Sequence, residues 1–303
     1  FGSLHSAARV VPATDGVALN VEVDDPETGG AETGGAETGD EGAGSPAVPT
    51  VVFVHGWVLD MDSWHYQRAA LRGRTRLVFY DQRSHGGSGR SDPGHCNLEQ
   101  LGVDLRSVLD AVVPDGPIVL VGHSMGGMTI MSLAAQFPEV VADRVVGVVL
   151  CATSAGELIS KRAPLSRLQP VLSRLSYLVD QGRKLNSYAI TRRYAVGPDA
   201  PEKYADMADE MIGRAPTHLL WDFYPNFVGL DFYTALEALP GKHTVVIAGT
   251  EDVLTPMRHS RRMSELVDGS ELVACEGSGH MVMLEEHETV SRAVLDLLED
   301  VAG

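Results

Sequence analysis

Apolar positions along the chain fall into short runs, and the spacing between them alternates between two periods. Residues 17–23 (VALNVEV) alternate at period two and predict an early strand, paired with a second at 9–13. The run at 50–54 (TVVFV) is apolar throughout, which suits a strand buried on both faces of a parallel sheet. Similar runs at 76–80, 118–121, 145–151, 244–248 and 271–274 predict five more strands. Between them, residues 63–71, 97–112, 125–136, 258–267 and 285–301 carry the three-to-four spacing of amphipathic helices. The helix at 125–136 is expected to stop ahead of Pro138. Strands alternating with helices predict an α/β fold: a mostly parallel central sheet of about eight strands, flanked by helices on both faces.

One stretch breaks the rhythm. From 156 to 235 no buried strand is evident, and the composition is helical and rich in aromatics, among them Tyr177, Tyr204, Trp221, Phe223 and Phe227. Its place after the sixth strand predicts a helical cap inserted into a core of residues 1–155 and 236–303. Open α/β sheets bind ligands at the carboxyl ends of their strands, so a cap at that end would wall a substrate pocket. A second irregular segment, 26–47, contains the repeat ETGGA at 27–31 and 32–36. Small and acidic residues there cannot bury enough surface to order themselves, so a flexible surface loop is expected.

Composition narrows the functional classes. The 303 residues are 44% hydrophobic and 21% charged, enough apolar mass for one large domain. Lys and Arg number 24 against 41 Asp and Glu, a net charge of −17. Eight of those carboxylates lie between Glu22 and Glu41, without a Lys or Arg among them. Phosphate contacts are made by Lys and Arg, so nucleic acid is not an expected partner. No apolar run is long enough to span a membrane. Three scattered cysteines, Cys96, Cys151 and Cys275, form neither a disulfide framework nor a zinc motif and fit a reducing compartment such as the cytoplasm. The chain opens at Phe1 without a basic-then-apolar leader; any upstream signal or anchor would lie outside it, and the compartment stays open.

The strongest chemical signal is Gly122-His123-Ser124-Met125-Gly126, directly after the strand at 118–121 and directly before a helical run. A G-x-S-x-G turn in that setting lifts its serine above the sheet at a helix N-terminus, where partial positive charge favours an anion. Ser124 is therefore the candidate nucleophile. A hydroxyl needs a base to take its proton, and His280, in Gly277-Ser278-Gly279-His280 after the last strand, is the candidate. The imidazole in turn needs a carboxylate. Asp252, in Gly249-Thr250-Glu251-Asp252, is the better placed, with Glu251 as its rival. The oxyanion of an acyl-transfer intermediate needs N–H donors. The backbone N–H groups of Met125 and of Trp57, which follows His55-Gly56, are the candidates. Trp57 and Met125 are also candidate substrate-binding residues, with the Trp57 side chain read equally as pocket lining or core. His55 and His123 read as loop anchors. No dinucleotide motif or metal-ligand cluster stands in the chain, so no cofactor and no metal are implied.

Taken together, His55-Gly56-Trp57 with Trp64, Asp81-Gln82-Arg83-Ser84-His85-Gly86-Gly87-Ser88, G-H-S-M-G-G, G-T-E-D-V-L-T-P and G-H-M-V-M-L-E resemble the α/β-hydrolase fold family in both order and spacing. The likeness covers the chain apart from 26–47 and points to the serine esterase and lipase-like branch. Ser84 and His287 stand where the family often has Gly and Pro. By that resemblance Asp81 and Arg83 organise a loop rather than catalyse. Serine at the elbow argues against branches that use a carboxylate nucleophile. The implied activity is hydrolysis of carboxylic esters of a small to medium apolar substrate through an acyl-enzyme. Lactonase, thioesterase, peptidase or carbon–carbon bond hydrolase chemistry on the same triad is the alternative, and a non-catalytic ligand-binding member of the fold is another. The expected partner is a small-molecule ester. Acyl length, stereoselectivity and oligomeric state are not legible in the residues.

Overall fold

Strands that are apolar at every position need cover on both faces, and they obtain it. The computed structural model describes residues 1–26, 48–159 and 187–302. Its eight strands are β1 (Ala8–Pro12), β2 (Ala18–Asp24), β3 (Thr50–Val54), β4 (Leu77–Tyr80), β5 (Ile118–His123), β6 (Val145–Cys151), β7 (Thr244–Gly249) and β8 (Glu271–Cys275). They form one sheet in the order β1-β2-β4-β3-β5-β6-β7-β8. The β1–β2 and β2–β4 pairs are antiparallel, and every other neighbouring pair is parallel.

Alternation along each strand divides the core in two. Val52, Val54, Val78, Leu120, Val148 and Leu150 face one side. There they meet Leu105 and Val108 of α2 (Leu98–Val112), Ile130 of α3 (Met125–Gln136) and Met263 of a helix near the C-terminus. Val51, Phe53, Phe79, Val119, Val121 and Val149 face the other side. They pack on Leu71 of α1 (His65–Leu71) and on Val290, Val294 and Leu297 of the last helix. Asn97 starts α2 by accepting the Gln100 N–H on its side-chain oxygen at 2.8 Å, which satisfies one of the amides a helix start leaves unpaired.

Two helical expectations change. A separate helix α4 (Pro138–Arg144) follows α3, because Pro138 takes a first-turn position, where its missing N–H costs nothing. The run expected at 285–301 starts instead at His287, and a separate short helix, Val282–Glu285, precedes it. The remaining helices are α5 (Glu202–Arg214), α6 (His218–Phe223), α7 (Met257–Leu266), α8 (Val282–Glu285) and α9 (His287–Ala302). Residues 187–194, α5 and α6 are helical. Isolated bridges pair Gly156 with Asp231 and Ile159 with Val228. The rest of the expected cap, 160–186 with Tyr177, lies outside the described residues, as does the expected acidic loop over 27–47. Cys96, Cys151 and Cys275 are free and buried. Among the described residues no helix is long and apolar enough to cross a membrane.

Candidate active site

β5 turns into α3 at Ser124, whose φ of 51° and ψ of −117° are rare for a residue with a side chain. Crowding imposes the glycines around it. A Cβ on Gly126 would sit 2.0 Å from the Val54 carbonyl oxygen, and one on Gly122 would sit 2.7 Å from the Gly127 nitrogen. The turn is clamped from β6 and the residues after it. The Ser124 N–H donates to the Cys151 carbonyl at 2.9 Å, and the Ser124 carbonyl accepts the Thr153 hydroxyl at 2.6 Å. The serine stands at the N-terminal end of α3, a three-turn helix whose dipole favours negative charge there.

His280 and Asp252 meet, although 28 residues apart. The imidazole Nδ1–H donates to Asp252 Oδ2 at 2.8 Å, which leaves the Nε2 lone pair free to accept a proton. Asp252 also accepts the Thr255 hydroxyl at 2.6 Å and the N–H groups of Leu254 and Thr255 at 2.8 and 2.9 Å. Burial by itself would raise the Asp252 pKa. The adjacent His280 and these hydrogen bonds outweigh burial and hold the carboxyl down at about 2. Of the two carboxylates weighed in the sequence, Asp252 is the buried one facing the imidazole. Glu251 is exposed and bonds the Ser278 carbonyl only through its backbone. Thr255 was not singled out as a site residue, though it stands in the same short loop.

The loop after β3 is fixed by neutral polar contacts. His55 donates from Nδ1 to the Gly56 carbonyl at 2.7 Å and accepts the Gln82 N–H on Nε2 at 2.9 Å. Complete burial lowers its pKa to about 4, so it holds the loop uncharged. Among the described residues no carbonyl accepts the main-chain N–H of Trp57 or of Met125. The Trp57 indole N–H donates to the Leu219 carbonyl at 3.0 Å, and its ring lies 5.0 Å from that of Phe227. Trp57 thus lines a cavity and ties it to α6. The Met125 side chain is fully buried beside Leu98, Leu101 and Phe223, and Met128 reaches the cavity instead.

The loop after β4 is organised from within. Asp81 accepts from Asn20 Nδ2 at 2.9 Å and from the N–H groups of Met61 and Gly87 at 2.9 and 2.8 Å. Arg83, wholly buried, grips Asp104 with two bonds of 2.6 and 2.7 Å.

Ser124 and His280 open on one cavity of about 400 Å³. Apart from those two, His123 and Thr255, its walls are apolar, with Trp57, Leu158, Ile159, Phe227, Val253 and Leu254 prominent. Among the described residues no three His, Cys, Asp or Glu side chains gather so as to hold a metal ion. Glu285, which stands in the motif G-H-M-V-M-L-E, braces the loop that carries His280: its carboxylate accepts the Gly279 N–H at 3.0 and 3.1 Å and the Gly197 N–H at 2.8 Å.

Comparison with known proteins agrees with the fold. The family model described as alpha/beta hydrolase matches residues 51–293. The chain is 26% identical over 257 residues to the bifunctional esterase/perhydrolase DCH of Acinetobacter calcoaceticus, covering 82% of this chain and 90% of that protein. It is also 26% identical over 252 residues to 3-oxoadipate enol-lactonase 2 of Acinetobacter baylyi, covering 81% and 87% respectively. Among solved structures, a thermophilic esterase from Thermogutta terrifontis superposes with a TM-score of 0.74 at 22% identity, over 98% of this chain and all of the other. At that identity the likeness is one of fold.

Proposed function

The chain belongs to the alpha/beta hydrolase family, and from that premise we propose that it hydrolyses carboxylic esters with an apolar acyl or alcohol group through a Ser124–His280–Asp252 triad. The observation that carries this reading is the carboxylate-paired imidazole opening on the same apolar cavity as the strained serine. Ser124 Oγ adds to the ester carbonyl while His280 Nε2 takes its proton. The carbonyl π pair moves to oxygen, and the N–H groups of Trp57 and Met125 receive that oxyanion. Each such donor is worth about 10²–10³ in kcat. The tetrahedral intermediate collapses, the C–O bond to the alcohol breaks, and His280 returns the proton to the departing oxygen. Water then repeats the sequence on the acyl-enzyme and frees the acid and Ser124. Asp252 keeps Nδ1 protonated and offsets the imidazolium charge. The esterase/perhydrolase and the enol-lactonase among the relatives support the class. The enol-lactonase among them makes a lactone, an internal ester, the second substrate to try.

Ser124→Ala tests the reading. Turnover of p-nitrophenyl butyrate should fall by roughly 10⁴-fold or more, with the circular dichroism unchanged. A fluorophosphonate should label Ser124 in the native protein. Undiminished turnover in the variant would overturn the assignment. A panel of esters, thioesters and lactones of matched acyl length then ranks the leaving groups.

A further inference from the structure

We propose that His123 is a positioning residue for the base: its ring N–H holds the main-chain carbonyl of His280, locking the base to the strand that carries the nucleophile. The inference rests on the triad reading above and adds a role to a residue outside it. The problem it solves is topological. β5, which ends in His123, is separated from β8 by β6 and β7. At about 4.8 Å between neighbouring strands, the loop after β8 must carry His280 back across roughly 14 Å of sheet edge.

That loop is bonded at several points. The Gly277 N–H goes to the Thr250 hydroxyl, the Gly279 N–H to the Glu285 carboxylate, and the Met281 N–H to the Ala195 carbonyl. All of these anchor the loop to other loops or to α8. Among the described residues one hydrogen bond joins it to β5: His123 Nε2 to the His280 carbonyl oxygen, at 2.9 Å across 157 residues. The acceptor is a carbonyl, so Nε2 carries the hydrogen and donates. The two rings lie 4.8 Å apart at 57°, and both line the cavity beside Ser124.

The surroundings hold the His123 ring in that pose. It is 1% exposed. Its Nδ1 has no hydrogen-bond partner and lies 2.7 Å from where a Cβ on Gly56 would stand, so the ring rests directly on the bare backbone of that glycine. Burial, with His280 as a neighbour, lowers its pKa to about 3, so the tether stays neutral wherever the base must cycle between its two forms. A base displaced by about 1 Å can lose 10²-fold in rate, which sets the scale of the effect.

His123→Leu removes the donor, and His123→Gln keeps an N–H at a similar reach. With p-nitrophenyl butyrate, the Leu variant should lose 10- to 100-fold in kcat with KM within twofold, and the Gln variant should recover most of that loss. Equal losses in both variants, or a change confined to KM, would refute the tether and leave only a packing role. Full activity in the Leu variant would refute it outright. Should the Leu variant not fold, ¹⁵N-histidine spectra of the native protein decide. His123 should show the Nε2–H tautomer, unchanged from pH 5 to 8, and an Nδ1–H tautomer or a titration in that range counts against it. Labelling of native Ser124 by a fluorophosphonate, run alongside, separates failure of the tether from failure of the hydrolase reading, because only the latter abolishes the label.

Discussion

The strain at the elbow can be measured apart from catalysis. Ser124 sits at φ 51° and ψ −117°, where a Cβ is crowded by its own backbone. Such a conformation costs about 1–3 kcal/mol in a residue with a side chain. Ser124→Ala keeps the Cβ and therefore the strain, and removes only the hydroxyl. Ser124→Gly removes the Cβ as well, relieving the strain but adding about 0.5–1 kcal/mol of backbone freedom to the unfolded chain. The difference favours the Gly variant over the Ala variant by about 0.5–2 kcal/mol. Over 303 residues that corresponds to a Tm higher by roughly 1–3 °C. Both variants lack the Ser124 hydroxyl, so activity does not confuse the comparison. Urea unfolding at pH 7 and scanning calorimetry are the assays. A Gly variant equal to or less stable than the Ala variant would show that the turn is not strained and that its backbone angles need another cause.

The Arg83–Asp104 pair and the Asp252 carboxylate give two further tests. Arg83→Met should destabilise the protein by about 3–5 kcal/mol, because it leaves Asp104 buried without its partner. Adding Asp104→Leu should recover most of that loss, and a double variant as unstable as the single one would show that the pair acts through its other neighbours, Asp15 and Ser91. Asp252 is held at about 2, below its ordinary 3.8, so its ionisation stabilises the fold above about pH 4 and loses that effect as the pH falls through 2. The stability gap between the native protein and Asp252→Asn should therefore shrink by about 2 kcal/mol across that window. A gap that stays constant in urea titrations at stepped pH would contradict the depressed value.

The central sheet was legible because burial on both faces writes itself as an uninterrupted apolar run, as in Thr50–Val54. The elbow was legible because the steric demand is local: two glycines flank the serine at fixed offsets. Helix α4 was not, since Pro138 reads equally as a stop and as a first-turn residue, and which applies depends on whether the following residues find a core. Val140 and Val141 do. The sequence favoured Asp252 over Glu251 but did not exclude Glu251. Neighbouring carboxylates on one turn differ only in which one faces a loop from elsewhere in the chain. Glu285 and the proposed tether from His123 share that character, because the contacts that define them join distant segments and leave no periodic trace.

The four histidines around the elbow divide by what their rings touch. His55 and His85 each bond a main-chain carbonyl through Nδ1, and His123 bonds one through Nε2. Burial pushes them to about 4, 3 and 3 respectively. His280 alone of the four bonds a carboxylate. In the proposed triad, His280 is therefore the one of the four whose positive charge would be compensated. The neutrality of the others matters for the same charge. A charged His123 at 4.8 Å would oppose an imidazolium at His280 by about 3 kcal/mol at an effective dielectric constant near 20. In the proposed mechanism that opposition would fall on the step in which His280 takes the serine proton. Burying His123 without a counter-charge thus lets one ring hold the base in place without competing with it for the proton.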